Sequence, residues 1–170
     1  YSPVIEKLLE NINIAKPHVM TAVPRFYNNL YNKMMSGVKK SSSFKKRLFL
    51  KTVELGSKDF KNKKLSLIEK FINYLLSILV RKKVIKNFGG NLKAFVSGGG
   101  PLDQNVGLFL NSLGLKTLQG YGLTETSPVV SCNPVNKIKI ETVGAIFSNN
   151  KVKIAEDGEI LVKGENVMLG

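Results

Sequence analysis

Eight consecutive residues, Gln119-Gly120-Tyr121-Gly122-Leu123-Thr124-Glu125-Thr126, combine two glycines, an aromatic ring, two hydroxyls and a carboxylate. Each type suits one part of a nucleotide. Glycines at 120 and 122 permit backbone angles closed to other residues and let a ligand come close to the main chain. The Tyr121 ring offers a flat face to a planar base. Thr124 can donate its hydroxyl to a phosphate oxygen. Glu125 is a hard oxygen donor suited to Mg²⁺.

A second glycine cluster, Ser97-Gly98-Gly99-Gly100-Pro101-Leu102, stands upstream. Leu92 to Val96 before it reads as a short buried strand. Asp103 to Leu113 after it reads as a helix with Asp103 at its cap or in its first turn. A strand, a glycine turn and a helix leave backbone N–H groups free to meet a ligand. Leu115 to Leu118 reads as the next strand, delivering the Gln119 motif. In a parallel sheet both glycine motifs lie at carboxyl ends of strands, where open α/β sheets bind ligands. Either cluster alone is most simply a tight turn; the two together, ending in Thr-Glu-Thr, favour a nucleotide site.

The elements that must position these groups are legible in outline. Ser2-Pro3 is a helix start, and Val4, Ile5, Leu8, Leu9 and Ile12 mark one helical face. His18 to Val23 reads as a strand, with His18 structural because no acid or second histidine adjoins it. Pro24 opens a helix with Phe26, Tyr27, Leu30, Tyr31 and Met34 on its inner side and Gly37 at its end. Phe44 to about Asp59 reads as a third helix. Leu65 to about Asn87 reads as a fourth, with Ile68, Phe71, Ile72, Leu75, Leu76 and Leu79 at helical spacing. Its apolar centre is too short, and too interrupted by Asn73 and Ser77, to span a bilayer. From Lys137 the pattern alternates: Ile138, Ile140 and Val143, then Val152 and Ile154, then Ile160 and Val162, with Asp157-Gly158 as a hairpin signal.

At Tyr121-Gly122-Leu123-Thr124-Glu125 the chain resembles the adenylate-forming, or AMP-binding, superfamily. The extension Thr126-Ser127-Pro128-Val129-Val130 is similar to its long-chain fatty acyl-CoA synthetase branch. Three further runs are similar to family segments: Ala22 to Tyr27, Ser97 to Leu102, and Gly158 to Gly164 with Asn166 to Gly170.

The resemblance implies an α/β fold, with a helix-flanked sheet from the family's large N-terminal domain running into a smaller β-subdomain. Residues 1–134 would form the α/β portion, with a helical insertion at about 38–90, and 135–170 the start of a β-barrel-like subdomain. It implies an acid–thiol ligase using ATP, Mg²⁺ and CoA, which adenylates a long-chain fatty acid and passes the acyl group to CoA. Carried over residue by residue, Thr124 and Glu125 are catalytic, with Glu125 also the metal ligand. Gly98, Gly99, Gly100, Pro101, Gln119, Gly120, Tyr121, Gly122 and Thr124 bind the nucleotide. An acyl-AMP ligase without the CoA step is one alternative; a non-catalytic truncated module for membrane binding or interaction is another.

Ser148-Asn149 departs from the family's Pro-Gly turn after Val143-Gly144, and a left-handed asparagine is expected to preserve the turn. The family's serine/threonine/glycine-rich phosphate loop, downstream aspartate and terminal lysine are not found in the sequence. The chain therefore reads as an internal fragment, inactive alone.

Charge is unevenly placed. The chain carries a formal +14, and residues 39–93 hold 16 of its 26 basic residues but 3 of its 12 acidic ones. That excess is either a solvated face or a surface for an anionic membrane. Nucleic acid ranks last as partner, since no nucleic-acid module and no aromatic-interleaved basic stripe is present. A single cysteine, Cys132, excludes an internal disulfide and suits a reduced, cytoplasmic setting with peripheral membrane contact as an option. With no neighbouring histidine or acid, it reads as a small packing residue.

Overall fold

A computed structural model describes the backbone of residues 8–169 and the side chains of 11–169. The expected start at Ser2-Pro3, with Val4 and Ile5, lies outside the described residues. The helix itself is present as α1, Leu8–Ala15, and buries Ile12.

Three strands build the parallel part of the sheet: β1 (Val19–Ala22), β2 (Ala94–Ser97) and β3 (Thr117–Tyr121). Parallel neighbours require long crossovers, and the helices supply them. Two short antiparallel strands, β4 (Ser131–Cys132) and β5 (Ala145–Ile146), extend the sheet in the order β1-β2-β3-β4-β5.

Helix α2 (Pro24–Lys39) follows β1, with Pro24 in the first turn where no N–H is needed. Its inner face is the one expected: Phe26, Tyr27 and Leu30 are buried, and Tyr31 and Met34 pack beside them. The Phe26, Tyr27 and Phe95 rings meet edge to face at 5.1–6.2 Å, fixing α2 on β2. Tyr27 donates its hydroxyl to the Val96 carbonyl at 3.0 Å. Burial pushes the phenol far above its ordinary range, so it stays a donor. Gly37 does not end α2, which runs to Lys39. One helical glycine costs only about 1 kcal/mol, less than the packing of the aromatic face contributes.

Helix α3 (Ser43–Phe60) and helix α4 (Leu67–Leu76) form an antiparallel pair. A reciprocal cap opens α4: the Glu69 amide donates to Ser66 Oγ and the Ser66 amide to Glu69 Oε2. The expected single helix over 65–87 is a continuous run with one fault. A π-turn, Ser77–Arg81, separates α4 from α5 (Lys82–Lys86). Arg81 on that turn donates to the carbonyls of Ser112, Asn73 and Thr52 and to Asn73 Oδ1, at 2.7–3.3 Å.

The apolar face of α4 is not packed on the sheet. Leu76 is buried, but Ile68, Phe71, Leu75 and Leu79 are exposed, with Leu67, Tyr74 and Ile78 beside them. Among the described residues no helix is long and apolar enough to cross a membrane.

Helix α6 (Gln104–Ser112) connects β2 to β3. Asp103 is its cap, its Oδ1 accepting from the amides of Asn105 and Val106. Leu110, Leu113 and Leu115 close the core beneath it.

The alternation at Ile138, Ile140 and Val143 does not form a strand. Residues 137–143 are turns and irregular chain, and Ile140 is buried as an anchor. The separate antiparallel structure therefore begins later than expected, since β5 belongs to the first sheet. It is the hairpin of β6 (Asn150–Ile154) and β7 (Ile160–Gly164). Asp157-Gly158 turns that hairpin with Gly158 at φ +90°. The Ser148-Asn149 turn forms, with the Asn150 amide on the Phe147 carbonyl. Asn149 is not left-handed, so an ordinary turn suffices.

Candidate functional site

Both glycine motifs reach the carboxyl edge of the sheet, as expected. The second does so as part of the strand: β3 includes Gln119, Gly120 and Tyr121, because β4 pairs Gly120 with Cys132 and Tyr121 with Ser131.

Two cavities meet there. The first, of about 550 Å³, lies between Gly99 to Leu102 and Gln104 on one side, Gln119 to Leu123 in the middle, and Ile140 to Val143 on the other. The second, of about 540 Å³, is bounded by Thr21, Ala22, Val23, Val96 and Gly98 and by Pro128 and Val129. Gly99, Gly120, Tyr121 and Gly122 line both. The fold thus brings Gly98, Gly99, Gly100, Pro101, Gln119, Gly120, Tyr121 and Gly122 together. Thr124 and Glu125 stand apart from both linings, on the adjoining single turn of 3₁₀ helix, Thr124–Thr126.

That turn is tightly held. The Thr126 hydroxyl donates toward the Leu123 and Pro128 carbonyls and accepts from the Leu123 amide. Asn166 donates to the Thr126 carbonyl, and the Met168 amide donates to that of Glu125. The side chains of Thr124 and Glu125 are exposed and make no hydrogen bond or ion pair among the described residues. A lone free carboxylate fits Mg²⁺, which usually takes one or two protein carboxylates and completes its shell with water and phosphate. Among the described residues no group of three or more His, Cys, Asp or Glu forms a protein cage for a metal.

Gln119 occupies a different place from the one its motif suggests. Its side chain is buried and engaged at both ends by backbone: Oε1 accepts from the Leu102 amide at 2.9 Å, and Nε2 donates to the Ile140 carbonyl. It ties the first glycine turn to the 137–143 loop across the first cavity. Glycines 120 and 122 also differ from expectation, since neither has a positive φ. A Cβ on Gly122 would lie 1.6 Å from the Pro128 carbonyl oxygen. Its missing side chain admits the chain's own loop.

Several site residues gave no signal in the sequence. Glu141 and Thr142 line the first cavity from the loop that Ile140 anchors. Asn133 is buried behind them, donating to the Gln119 and Thr142 carbonyls and accepting from the Lys139 amide. Cys132 is half-buried on β4, and burial pushes its thiol pKa up, away from thiolate reactivity.

The family profile described as AMP-binding enzyme matches residues 2–170. The chain is 34% identical over 169 residues to the long-chain-fatty-acid–CoA ligase FadD15 of Mycobacterium tuberculosis, covering 98% of this chain and 28% of that protein. It is 30% identical over 186 residues to the peroxisomal long chain acyl-CoA synthetase 7 of Arabidopsis thaliana, covering 100% of this chain and 26% of that protein. The chain therefore spans little more than a quarter of the length of these curated relatives. Two crystal structures share the fold. One is a long-chain-fatty-acid-CoA ligase, FadD1, from Archaeoglobus fulgidus, at TM-score 0.59 and 23% identity, covering 98% of this chain and 28% of that one. The other is the adenylation domain of a carboxylate reductase from Mycobacterium chelonae, at TM-score 0.62 and 18% identity, covering 99% and 24%. The helix-flanked sheet, the two glycine motifs at its carboxyl edge and the Tyr121 to Glu125 motif agree with these findings: the chain belongs to the AMP-binding enzyme family.

Proposed function

We propose that these residues form the nucleotide- and acid-binding part of an ATP-dependent long-chain fatty acid–CoA ligase. The supporting observation is the pair of cavities sharing Gly99, Gly120, Tyr121 and Gly122. A reaction between two bound molecules needs two sites with a common wall. The first cavity, edged by backbone and by Gln104, Glu141 and Thr142, takes adenosine. The second, walled by Ala22, Val23, Val96, Pro128 and Val129, takes the apolar acid.

The carboxylate of the acid attacks the α-phosphorus of ATP and expels pyrophosphate; the thiol of CoA then attacks the acyl carbon and expels AMP. The first step brings one anion against another, so the site must lower that repulsion. The Tyr121 ring packs against adenine, and the backbone of Gly99, Gly100 and Pro101 passes along the base edge. Thr124 donates its hydroxyl to the α-phosphate. Glu125 holds Mg²⁺, which when bound offsets the negative charge of the phosphates. Gln119 keeps the two walls of the adenosine cavity in register. The test is pyrophosphate–ATP exchange by the protein carrying these residues: we expect exchange that depends on a long-chain fatty acid. Exchange supported equally by short, water-soluble acids would contradict the assignment of the second cavity.

We further propose peripheral contact with an anionic membrane through the α3–α4 pair. A contiguous apolar stripe on α4, with Leu67, Ile68, Phe71 and Tyr74 at least 63% exposed, lies within the most basic stretch of the chain. An exposed apolar helical face bordered by lysines suits a negatively charged lipid surface.

A further inference from the structure

The Thr124–Thr126 turn is tied from inside and from outside. Inside, the Thr126 hydroxyl bonds to Leu123 and Pro128. Outside, the Asn166 side-chain amide donates to the Thr126 carbonyl from 40 residues away. That bond fixes which way the Asn166 amide faces: Nδ2 meets the turn, and Oδ1 meets the end of the β6–β7 hairpin. Asn166 Oδ1 is buried there with no donor among the described residues, and Asn150 Oδ1 is in the same state. Both oxygens crowd Gly164, which ends β7 opposite Asn150 on β6. A Cβ on Gly164 would stand less than 3.0 Å from each of them and from the Asn149 carbonyl oxygen. Gly164 has no positive φ, so the amides, not the backbone angle, exclude a side chain. Buried acceptors left without a donor are costly. A half-turn of the Asn150 amide removes the cost, because its Nδ2 then donates to Asn166 Oδ1.

We propose that Asn166 is a positioning residue for the adenylation step: linked to Asn150 across Gly164, it anchors on the hairpin the turn that presents Thr124 and Glu125. This rests on the reading of Thr124 and Glu125 as the groups that meet the phosphates and their metal. The Met168 amide, on the Glu125 carbonyl at 2.8 Å, is the second tie of the same strap. Main-chain bonds of this kind do not depend on side-chain type; the Asn166 bond does. Without it the turn keeps its inner bonds through Thr126, so the fold survives. The turn then loses a fixed position relative to the sheet edge. Binding of nucleotide and acid in the cavities changes little, because neither Thr124 nor Glu125 lines them. The chemical step changes more, since a misplacement of about 1 Å in a reacting geometry can cost about a hundredfold.

The experiment uses the protein carrying these residues with Asn166→Asp, Asn166→Ala and Gly164→Ala. Aspartate keeps the size of Asn166 and removes the donor; alanine removes the donor without adding charge. Gly164→Ala leaves both asparagines in place and drives their amides apart. The readouts are kcat and KM for palmitate-dependent pyrophosphate–ATP exchange, thioester formation from supplied palmitoyl-adenylate, amide exchange at Thr126 and Ser127, and Tm. We expect each variant to lower the exchange kcat at least about tenfold, with KM for ATP and palmitate within about twofold of the parent. Thioester formation and Tm should stay near the parent values, and protection at Thr126 and Ser127 should fall. An exchange kcat within twofold of the parent in both Asn166 variants overturns the proposal. A parallel fall of Tm and of both half-reactions makes Asn166 a structural residue only, and also overturns it. A parent whose exchange is indifferent to Glu125→Gln overturns the reading of the turn, and this proposal with it.

Discussion

Glu125 sits on a turn held by hydrogen bonds to Leu123, Pro128, Asn166 and Met168, through its backbone and the Thr126 hydroxyl, while its carboxylate is left free. A charged group held this way acts through its charge rather than through packing. Glu125→Gln keeps the size and removes the charge. We expect the fatty-acid-dependent adenylation rate to fall at least about a hundredfold, the scale of losing one well-placed electrostatic group. Thioester formation from supplied acyl-adenylate should fall less, because pyrophosphate and its charge have gone. Equal loss in the two half-reactions would show structural damage instead. The motif was legible here because its groups follow one another along the chain. Gln119 was read as a ligand contact for the same reason. Its partners, Leu102 and Ile140, are 17 and 21 residues away, and no local pattern announces them. Gly122 lines both cavities, and its missing side chain also admits the chain's own Pro128 carbonyl, six residues on.

At the scale of the elements, α2 and α6 were readable from apolar spacing and caps, because local signals and tertiary packing agree there. The run from Leu67 to Lys86 was readable as a helix, but the change of its phase was not. A π-turn inserts a residue at Ser77–Arg81, shifting the face of everything after it, and periodicity has no term for that shift. Arg81 explains the position of the fault. From the π-turn it donates into the end of α6 at Ser112, into α3 at Thr52 and into α4 at Asn73. Gly56 packs against this clamp: a Cβ there would lie 2.9 Å from the guanidinium and 2.3 Å from the Ser112 carbonyl oxygen. Arg81→Ala should cost about 2–4 kcal/mol, since hydrogen bonds from a charged donor contribute about 1.5–3 kcal/mol each but do not add fully. Arg81→Lys should recover little, as one ammonium cannot reproduce a planar fork. Urea unfolding checks both, and full recovery by lysine would contradict the clamp.

The same pair of helices carries a pH dependence. The Glu69 carboxylate accepts from Lys58 Nζ at 2.9 Å and from the Ser66 amide, which together hold its pKa at about 2 against an ordinary 4.5. The folded value is the lower one, so its contribution is present above about pH 4.5 and lost as pH falls toward 2. The group is only partly buried, so the effect is local. Amide protection in the first turn of α4, corrected for intrinsic exchange, should fall across that window in the parent and stay flat in Glu69→Gln. Identical profiles would remove the carboxylate from the account.

For the whole molecule, the division of charge sets two faces apart. The sheet edge with its cavities lies outside residues 39–93, and those residues carry nearly all the basic excess. Changing Lys45, Lys46, Lys63, Lys64, Lys82 and Lys83 to Gln should therefore release the protein from anionic vesicles, each lysine contributing roughly 1 kcal/mol at most. ATP affinity should not change. Arg81 is left out of that set because it is built into the fold. Binding indifferent to lipid charge and to these six changes would mark the basic run as a solvated face. The α/β architecture was legible from strand, glycine turn and helix in sequence order. The join was not: β4 and β5 are two residues each, too short to show a period, and they carry the sheet past the expected boundary. Ile140 alternated like a strand residue because its burial anchors a turn.

The central claim is that nucleotide and acid occupy separate cavities joined at Tyr121 and Gly122. The most direct measurement is a crystal structure of the protein carrying these residues with a hydrolysis-resistant palmitoyl-adenylate analogue. We expect adenosine between Gly99–Leu102 and Ile140–Val143, the alkyl chain between Thr21–Val23 and Pro128–Val129, and the acyl–phosphate linkage beside Gly99 and Gly122. Adenosine in the apolar cavity, or both halves of the analogue in one cavity, would contradict the account.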